Sequence, residues 1–347
     1  MENDKPFDEA ADCTSGRIRA ALLRLPQNVK KNAQEIRLRC NRPLLVRLPD
    51  RDVTFLPNGQ TCNTPLSSKL CVTREELEEC FRIVCGYSVH THQQQLCSGF
   101  VTIKGGHRVG VAGTAACANG GITAIRDISS INIRIAREHK GCAAELFGII
   151  RRGGFRSFLL AGPPCTGKTT LLRDLARLLS AVEGKNTVVL DERGELAACV
   201  NGAPQVDLGA ACDVLTGYPK SEAVDIALRC LSPDFIVTDE VNSLREAQAI
   251  ESGFHSGVSF FLSVHAHTPA ELWQREPSAR LLSSGMFGGA AFLNNRSDPG
   301  KLQWMQTAGD WFDTDSGRRF DLSGGRSGWS AGDEAAETAD YPAFTVC

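Results

Sequence analysis

The most constraining stretch of this 347-residue chain runs from Ser157 to Ser180, SFLLAGPPCTGKTTLLRDLARLLS. Apolar, strand-like residues 157–161 lead into Gly162-Pro163-Pro164-Cys165-Thr166-Gly167-Lys168-Thr169, a full G-x-x-x-x-G-K-[ST] phosphate-binding loop. Leu171, Leu172, Leu175, Leu178, Leu179 and Val182 then recur at three- and four-residue intervals, which predicts a helix stopped near Gly184. A strand, a glycine loop and a helix in this order imply an α/β fold with an anion site where the strand meets the helix.

The residue types account for the chemistry. Gly162 and Gly167 let the chain wrap so that backbone N–H groups converge on phosphate oxygens. Lys168 supplies a cation for the β- and γ-phosphates, Thr169 offers a hydroxyl to Mg²⁺, and Thr170 carries the loop into the helix. ATP with Mg²⁺ is therefore the expected ligand pair of residues 162–170.

A second half-site follows. Phe235-Ile236-Val237-Thr238 is an apolar strand ending in Asp239 and Glu240, seventy-one residues after Lys168. Asp239 is placed to hold Mg²⁺ through water, and Glu240 to polarise an attacking water. Asp191 and Glu192 end the strand before it, and His265 ends the strand after it. Three successive strand ends thus point to one place, with His265 expected near the γ-phosphate. His90-x-His92 and His265-x-His267 find no third ligand at usable spacing, so zinc is not expected.

Around this core the chain divides. Residues 1–16 are polar and expected to be loose. Residues 17–137 predict a small α+β domain, with alternation in 35–40, 43–48 and 130–135 and a capping box at Thr73-Arg74-Glu75-Glu76. Gly99–Lys104 and His107–Gly113 read as a hairpin about Gly105-Gly106. Residues 138–156 read as a junction and 157–303 as a mostly parallel sheet flanked by helices. Beyond about Trp304 the chain is rich in Gly, Ser, Asp and Thr and is expected to be disordered.

Composition narrows the partners. A formal net charge of −2 gives no overall argument for nucleic acid, and no basic run or aromatic-rich strand set supports one. The charge is uneven, however: residues 1–140 hold 20 Lys/Arg against 14 Asp/Glu, and 141–347 hold 18 against 26. Fourteen cysteines form no C-x-x-C pair and no secretory signal opens the chain, which points to reduced thiols in the cytoplasm. No apolar run approaches the ~18 residues of a membrane span.

Together, IRLRCNRPLLV, GFVTIKGGHRVGVAGT, IRDISSINIRIARE, GPPCTGKTTLLRDLARLLS, LDERGELAACVNG and PDFIVTDE resemble the stage III sporulation AA family over about residues 30–300. That family is similar to the hexameric ATPases of type II and type IV secretion. The resemblance implies a RecA-like ATPase core, a homo-oligomeric ring and a mother-cell cytoplasmic motor docked on membrane channel proteins of the sporulation complex. It also implies an acidic box at Asp191 and Glu192, a Walker B motif at Asp239-Glu240 and a histidine box at His265. One departure stands out: the family's Ile-Gly-Arg after the acidic pair is Val241-Asn242-Ser243 here, with Arg245 as the nearest arginine. The arginine that completes the γ-phosphate site, in its own subunit or a neighbour's, is then expected from the basic first domain, among Arg108, Arg126, Arg134 and Arg137, with Arg134 and Arg137 favoured. A nucleic-acid motor on the same core and a nucleotide-dependent scaffold with little turnover are the alternatives.

Overall fold

The computed structural model describes residues 4–302 apart from 57, 59, 63–68, 98, 119–120, 183 and 294–298, together with 304–307 and 320–321. The first domain opens with helices α1 (Lys5–Ala11), α2 (Gly16–Leu23) and α3 (Gln27–Asn32). Strands β1 (Glu35–Arg39), β2 (Arg42–Pro43), β3 (Leu45–Arg47), β4 (Asp52–Phe55), β5 (Thr61–Cys62) and β6 (Cys71–Val72) follow. Helices α4 (Arg74–Val84) and α5 (Gln93–Cys97) precede β7 (Phe100–Thr102), β8 (Arg108–Ala118) and β9 (Gly121–Arg134). Seven strands pair antiparallel in the order β5-β4-β3-β1-β9-β8-β7, with β2 and β6 as a separate pair.

Local chemistry sets these boundaries. The capping box forms in full: Glu76 N–H donates to Thr73 Oγ1 at 3.2 Å and Thr73 N–H donates to Glu76 Oε2 at 2.9 Å. The helix it opens buries Leu77, Cys80 and Val84 on one face. The hairpin about Gly105-Gly106 is present, with Thr102 opposite Arg108. Its second strand runs on to Ala118 and pairs along nearly the whole of β9. Small residues and a mixed pattern hide this long ribbon from a search for alternation.

Of the N-terminus expected to be loose over 1–16, residues 4–16 are ordered against the first core, and 1–3 lie outside the described residues. Asp4 caps α1 by accepting the Phe7 N–H at 2.9 Å, and Phe7, Ala10 and Ala11 are buried in the first core. Lys30, itself buried, pairs with Asp8 at 2.7 Å and ties α3 to α1. The signal was short: three apolar residues in one helical turn lie below what periodicity can resolve.

The second domain holds α6 (Ala144–Arg152), β10 (Phe158–Gly162), α7 (Lys168–Ser180), β11 (Thr187–Asp191), β12 (Cys212–Thr216), α8 (Lys220–Cys230) and β13 (Phe235–Thr238). It continues with α9 (Leu244–His255), β14 (Ser259–His265), α10 (Pro269–Gln274), α11 (Glu276–Ser283), β15 (Gly289–Phe292), β16 (Trp304–Thr307) and β17 (Phe320–Asp321). The sheet order is β12-β11-β13-β14-β10-β15-β16-β17, parallel as far as β15 and antiparallel beyond it. The α/β class expected from the sequence is the one that forms.

Alternate residues of each central strand enter opposite cores. Phe158 and Leu160 pack with Leu171, Leu172 and Leu175 of α7, whereas Leu159 and Ala161 pack with residues of α8, α9 and α11. Burial on both faces explains why these strands read as continuous apolar runs. The stretch read as a junction is part of this domain, since Ala143, Leu146 and Ile150 sit in the same core as α7. Of the tail read as disordered, Trp304–Thr307 and Phe320–Asp321 add strands to the sheet edge, and the rest lies outside the described residues.

Replacing Phe7 by Ala should cost about 3–5 kcal/mol of stability, as for other fully buried aromatic residues. Urea unfolding of the purified chain measures it, and a loss below about 1 kcal/mol would show that α1 is not part of the first core.

Candidate functional site

Parallel pairing brings the predicted residues to one edge. Gly162 lies opposite His265 across β10 and β14, and Thr238 lies opposite Leu262 across β13 and β14. The loop after β10, the acidic pair after β13 and the histidine ending β14 therefore share the C-terminal edge of the sheet. In open α/β sheets this is where ligands bind.

The loop has the shape its glycines require. Gly162 and Gly167 both have positive φ, at 152° and 93°. A Cβ at Gly162 would overlap the Leu293 carbonyl oxygen, and one at Gly167 would sit 2.7 Å from the Gly300 nitrogen. Only glycine allows this close an approach. Cys165 is exposed in the loop at φ 66°, while Thr166 is buried with its hydroxyl donating to the Pro163 carbonyl at 2.9 Å.

Lys168 is folded back on its own loop. Its ammonium donates to the carbonyls of Gly162 and Pro163, both at 2.8 Å, and meets His265 Nδ1 at 3.0 Å. Burial lowers its pKa to about 8, against the opposing pull of Glu240 and Cys165. With Lys168 charged, Nδ1 of His265 accepts, which leaves Nε2 to donate to Glu240 Oε1. Glu240 Oε2 in turn takes Arg193 at 3.0 Å. Burial pushes the Glu240 pKa up, but His265, then Arg193 and Lys168, outweigh it and hold the carboxyl below its usual value. A chain Lys168–His265–Glu240–Arg193 results.

The carboxylates behave differently from one another. Asp191 is fully buried and accepts four backbone N–H groups, from Glu195 (2.6 Å), Leu196 (3.1 Å), Ala197 (2.8 Å) and Ala198 (3.3 Å). It shapes the loop after β11 and has no lone pair left for a ligand. Glu192 is over a third exposed, and its oxygen stands 3.9 Å from Lys220. Glu195, not singled out from the sequence, is the carboxylate of this loop that lines the cavity beside Lys168.

Asp239 is 1% exposed, and neither of its oxygens has a hydrogen-bond partner among the described residues. Burial raises its pKa to about 6, although Lys220 at 3.6 Å pulls the other way. A buried carboxylate without donors is costly unless something else meets its charge. A carboxylate such as this and a hydroxyl such as that of Thr169, which lines the cavity, are both oxygen donors, the kind a hard divalent cation such as Mg²⁺ prefers.

The first domain supplies the other wall. A cavity of about 420 Å³ is lined by the phosphate loop on one side and by Arg108, Arg134 and Arg137 on the other. Arg108 pairs with Glu195 at 2.9 Å and lies 5.0 Å over the Phe100 ring. Arg134 is directly opposite Arg108 across β8 and β9, is exposed, and has no partner among the described residues. Like charges facing across a strand pair are unfavourable, so an anion between them would relieve the repulsion.

The other two candidates are placed differently within the chain. Arg137 touches the cavity, but its guanidinium is committed to Asp4 (2.9 Å) and to the Lys30 (2.7 Å) and Ala33 (3.3 Å) carbonyls. Arg126 lies on the exposed part of the β8–β9 ribbon and is not brought to this cavity. Arg245 is three-quarters exposed, 3.7 Å from Glu222, and absent from the cavity wall. Val241-Asn242-Ser243 serve a helix start instead. Ser243 Oγ accepts the Glu246 N–H at 3.2 Å, and Glu246 accepts the Asn242 N–H at 3.0 Å.

Besides Glu195, Lys220 and Arg193 were missed from the sequence. Arg193 follows the acidic pair, where a surface role is the ordinary reading of an arginine. Nothing local marks Lys220, because its partners come from β11 and β13.

Asp191→Ala should cost at least about 3 kcal/mol by stranding buried N–H groups, whereas Glu192→Ala should change stability by about 0.5 kcal/mol or less. Equal losses in chemical denaturation would refute the distinction. Asp239→Asn tests the orphaned carboxylate. A carboxyl pKa raised from 3.8 to about 6 destabilises the fold progressively as pH rises through that window. The stability gain of Asp239→Asn should therefore grow between pH ~4 and ~6, reaching about 2–3 kcal/mol, and a pH-independent difference would refute it.

Comparison with known proteins places the chain in a family. The family profile "Sporulation stage III, protein AA" matches residues 6–309. Stage III sporulation protein AA of Bacillus subtilis (strain 168) is 36% identical over 301 residues, covering 85% of this chain and 94% of that protein. Protein SEEDLING PLASTID DEVELOPMENT 1 of Arabidopsis thaliana is 28% identical over 171 residues, covering 48% of this chain and 24% of its own length. Among solved structures, the pilus retraction motor PilT with bound ADP is similar in fold, with a TM-score of 0.52 at 14% identity over 76% of each chain. By profile and by identity over most of its length, the chain belongs to the sporulation stage III protein AA family.

Proposed function

We propose that this chain is an ATP-hydrolysing motor of the secretion-ATPase kind. The observation that carries the reading is the chain Lys168–His265–Glu240 directly behind a phosphate loop, with Asp239 buried beside it and taking no hydrogen bond among the described residues. Such a set joins a phosphate cradle to an ionised base, and a solvated acidic turn would not build it.

In this reading ATP enters the cavity between the loop and the Arg108/Arg134 wall. Lys168 exchanges its contacts with the Gly162 and Pro163 carbonyls for phosphate oxygens. Thr169 and, through water, Asp239 would hold Mg²⁺, whose charge screens the phosphates when it is bound. Glu240, kept ionised by His265 and Arg193, orients a water and takes its proton as the water oxygen bonds to the γ-phosphorus. The bond from that phosphorus to the bridging oxygen breaks, and ADP and phosphate leave. Arg134, with no other partner among the described residues, meets the charge that spreads over the phosphoryl oxygens.

The wider reading is a homo-oligomeric ring, hexameric like the secretion ATPases. It works in the mother-cell cytoplasm on membrane channel proteins of the sporulation complex, without nucleic acid. Membership of a sporulation family and a fold shared with a pilus motor support it. No described helix is long and apolar enough to cross a membrane, so contact with a channel would run through partners.

Glu240→Gln should bind nucleotide at near wild-type affinity while turnover falls about 10²–10⁴-fold, the worth of a positioned base. Lys168→Ala should lose binding. Arg134→Ala should reduce turnover about 10³-fold with little effect on affinity, and Arg126→Ala should resemble wild type. Phosphate release and fluorescent-ADP titration measure these, and wild-type hydrolysis by Glu240→Gln would refute the proposal.

A further inference from the structure

Lys220 occupies a place that packing does not explain. It is the first residue of α8, where the helix dipole disfavours a cation, yet it is 5% exposed. A lysine is rarely buried to this extent unless paired. Its ammonium donates to the Glu240 carbonyl at 2.5 Å and stands 3.6 Å from Asp239 Oδ1 and 3.9 Å from Glu192 Oε2. It therefore joins the ends of β11 and β13 from the helix that follows β12.

The group it grips is strained. Glu240 has φ +27°, a left-handed value that a residue with a Cβ adopts only when its surroundings enforce it. Three contacts hold its main chain: its N–H donates to Ser263 Oγ at 3.1 Å, and its carbonyl accepts from Lys220 and from Asn242 Nδ2 at 3.3 Å. The Lys220 bond is the shortest and the one carried by a charge, which makes it the strongest restraint. From this backbone the Glu240 side chain reaches His265.

We propose that Lys220 is a positioning residue for Glu240, clamping its carbonyl so that the carboxylate is held in its strained, water-activating orientation against His265. The inference rests on the ATPase reading of the site. It differs from a plain counter-charge for Asp239, because the effect passes through the Glu240 main chain.

The test compares Lys220→Met, Lys220→Arg, Glu240→Gln and the Lys220→Met/Glu240→Gln pair in the full chain. Four quantities are read: ATP turnover, fluorescent-ADP affinity, melting temperature, and the His265 imidazole nitrogen resonance in nucleotide-free protein, assigned with His265→Gln. Lys220→Met should keep ADP affinity within about threefold while kcat falls about a hundredfold, the scale expected when a reacting group is misplaced by ~1 Å. Lys220→Arg should recover part of it. Added to Glu240→Gln, Lys220→Met should cost less than about threefold more, because the two residues act as one unit. The His265 resonance should move towards its Glu240→Gln position. Wild-type turnover by Lys220→Met, losses that multiply in the pair, or an unmoved His265 resonance would each overturn the proposal. Should Lys220→Met fail to fold, Lys220→Gln carries the same comparison. If Glu240→Gln alone hydrolyses at the wild-type rate, the ATPase reading fails, while the resonance still reports whether Lys220 holds Glu240.

Discussion

The structure depends on how charge is buried at one edge of a parallel sheet. Lys168, Asp191, Lys220 and Asp239 are each no more than 5% exposed, within a few residues of the ends of β10, β11, β12 and β13. Removing such charges from water costs several kcal/mol apiece, so each needs partners of its own. Lys168 has two carbonyls and an imidazole, Asp191 has four backbone N–H groups, and Lys220 has the Glu240 carbonyl. Asp239 is the exception. Of these four, it alone has no hydrogen-bond partner among the described residues, and it stands beside the phosphate loop.

The first domain answers that edge with the opposite sign. Arg108 and Arg134 face one another across β8 and β9 and both open on the cavity over the phosphate loop. Contacts between the domains hold them there. Gly105 N–H donates to Gln205 Oε1 at 3.0 Å, and Arg108 pairs with Glu195 and donates to the Gly194 carbonyl at 3.3 Å. The turn needs glycine for this approach: Gly106 has φ +75°, and a Cβ there would come 3.3 Å from Ala198 Cβ. His107 beside it is fully buried, and burial followed by the nearby Arg137 drives its pKa down to about 4, so the turn meets the second domain uncharged at that position.

Some of this was legible because the signal is local. Gly162 to Thr169 must wrap as it does wherever it sits, since the glycines answer steric demands set by the loop itself. Thr73 and Glu76 close a capping box within four residues. The apolar runs 158–162 and 235–238 mark strands buried on both faces, and carboxylates at their ends fall on the same edge once the sheet is parallel. Helix α1 was missed because its apolar content is three residues, and its stability comes from docking onto a core assembled from β1, β9 and α4. The sequence set Arg137 beside Arg134 because both lie close to the junction, and nothing along the chain marks which of the two finds partners elsewhere.

What the sequence determined alone is therefore the phosphate loop, the acidic strand end and the α/β class, each enforced by contacts between near neighbours or by simple periodicity. The tertiary structure decided the roles. Asp191 and Asp239 end adjacent strands in similar apolar runs, yet one is saturated by a folded-back loop and the other is left open. Arg134 has no partner among the described residues, while Arg137 is tied to Asp4, a residue 133 positions away. Lys220 matters only because α8 begins beneath the end of β13. These distinctions depend on which donors a buried charge finds, and donors brought together by sheet order and domain contact leave no pattern along the chain.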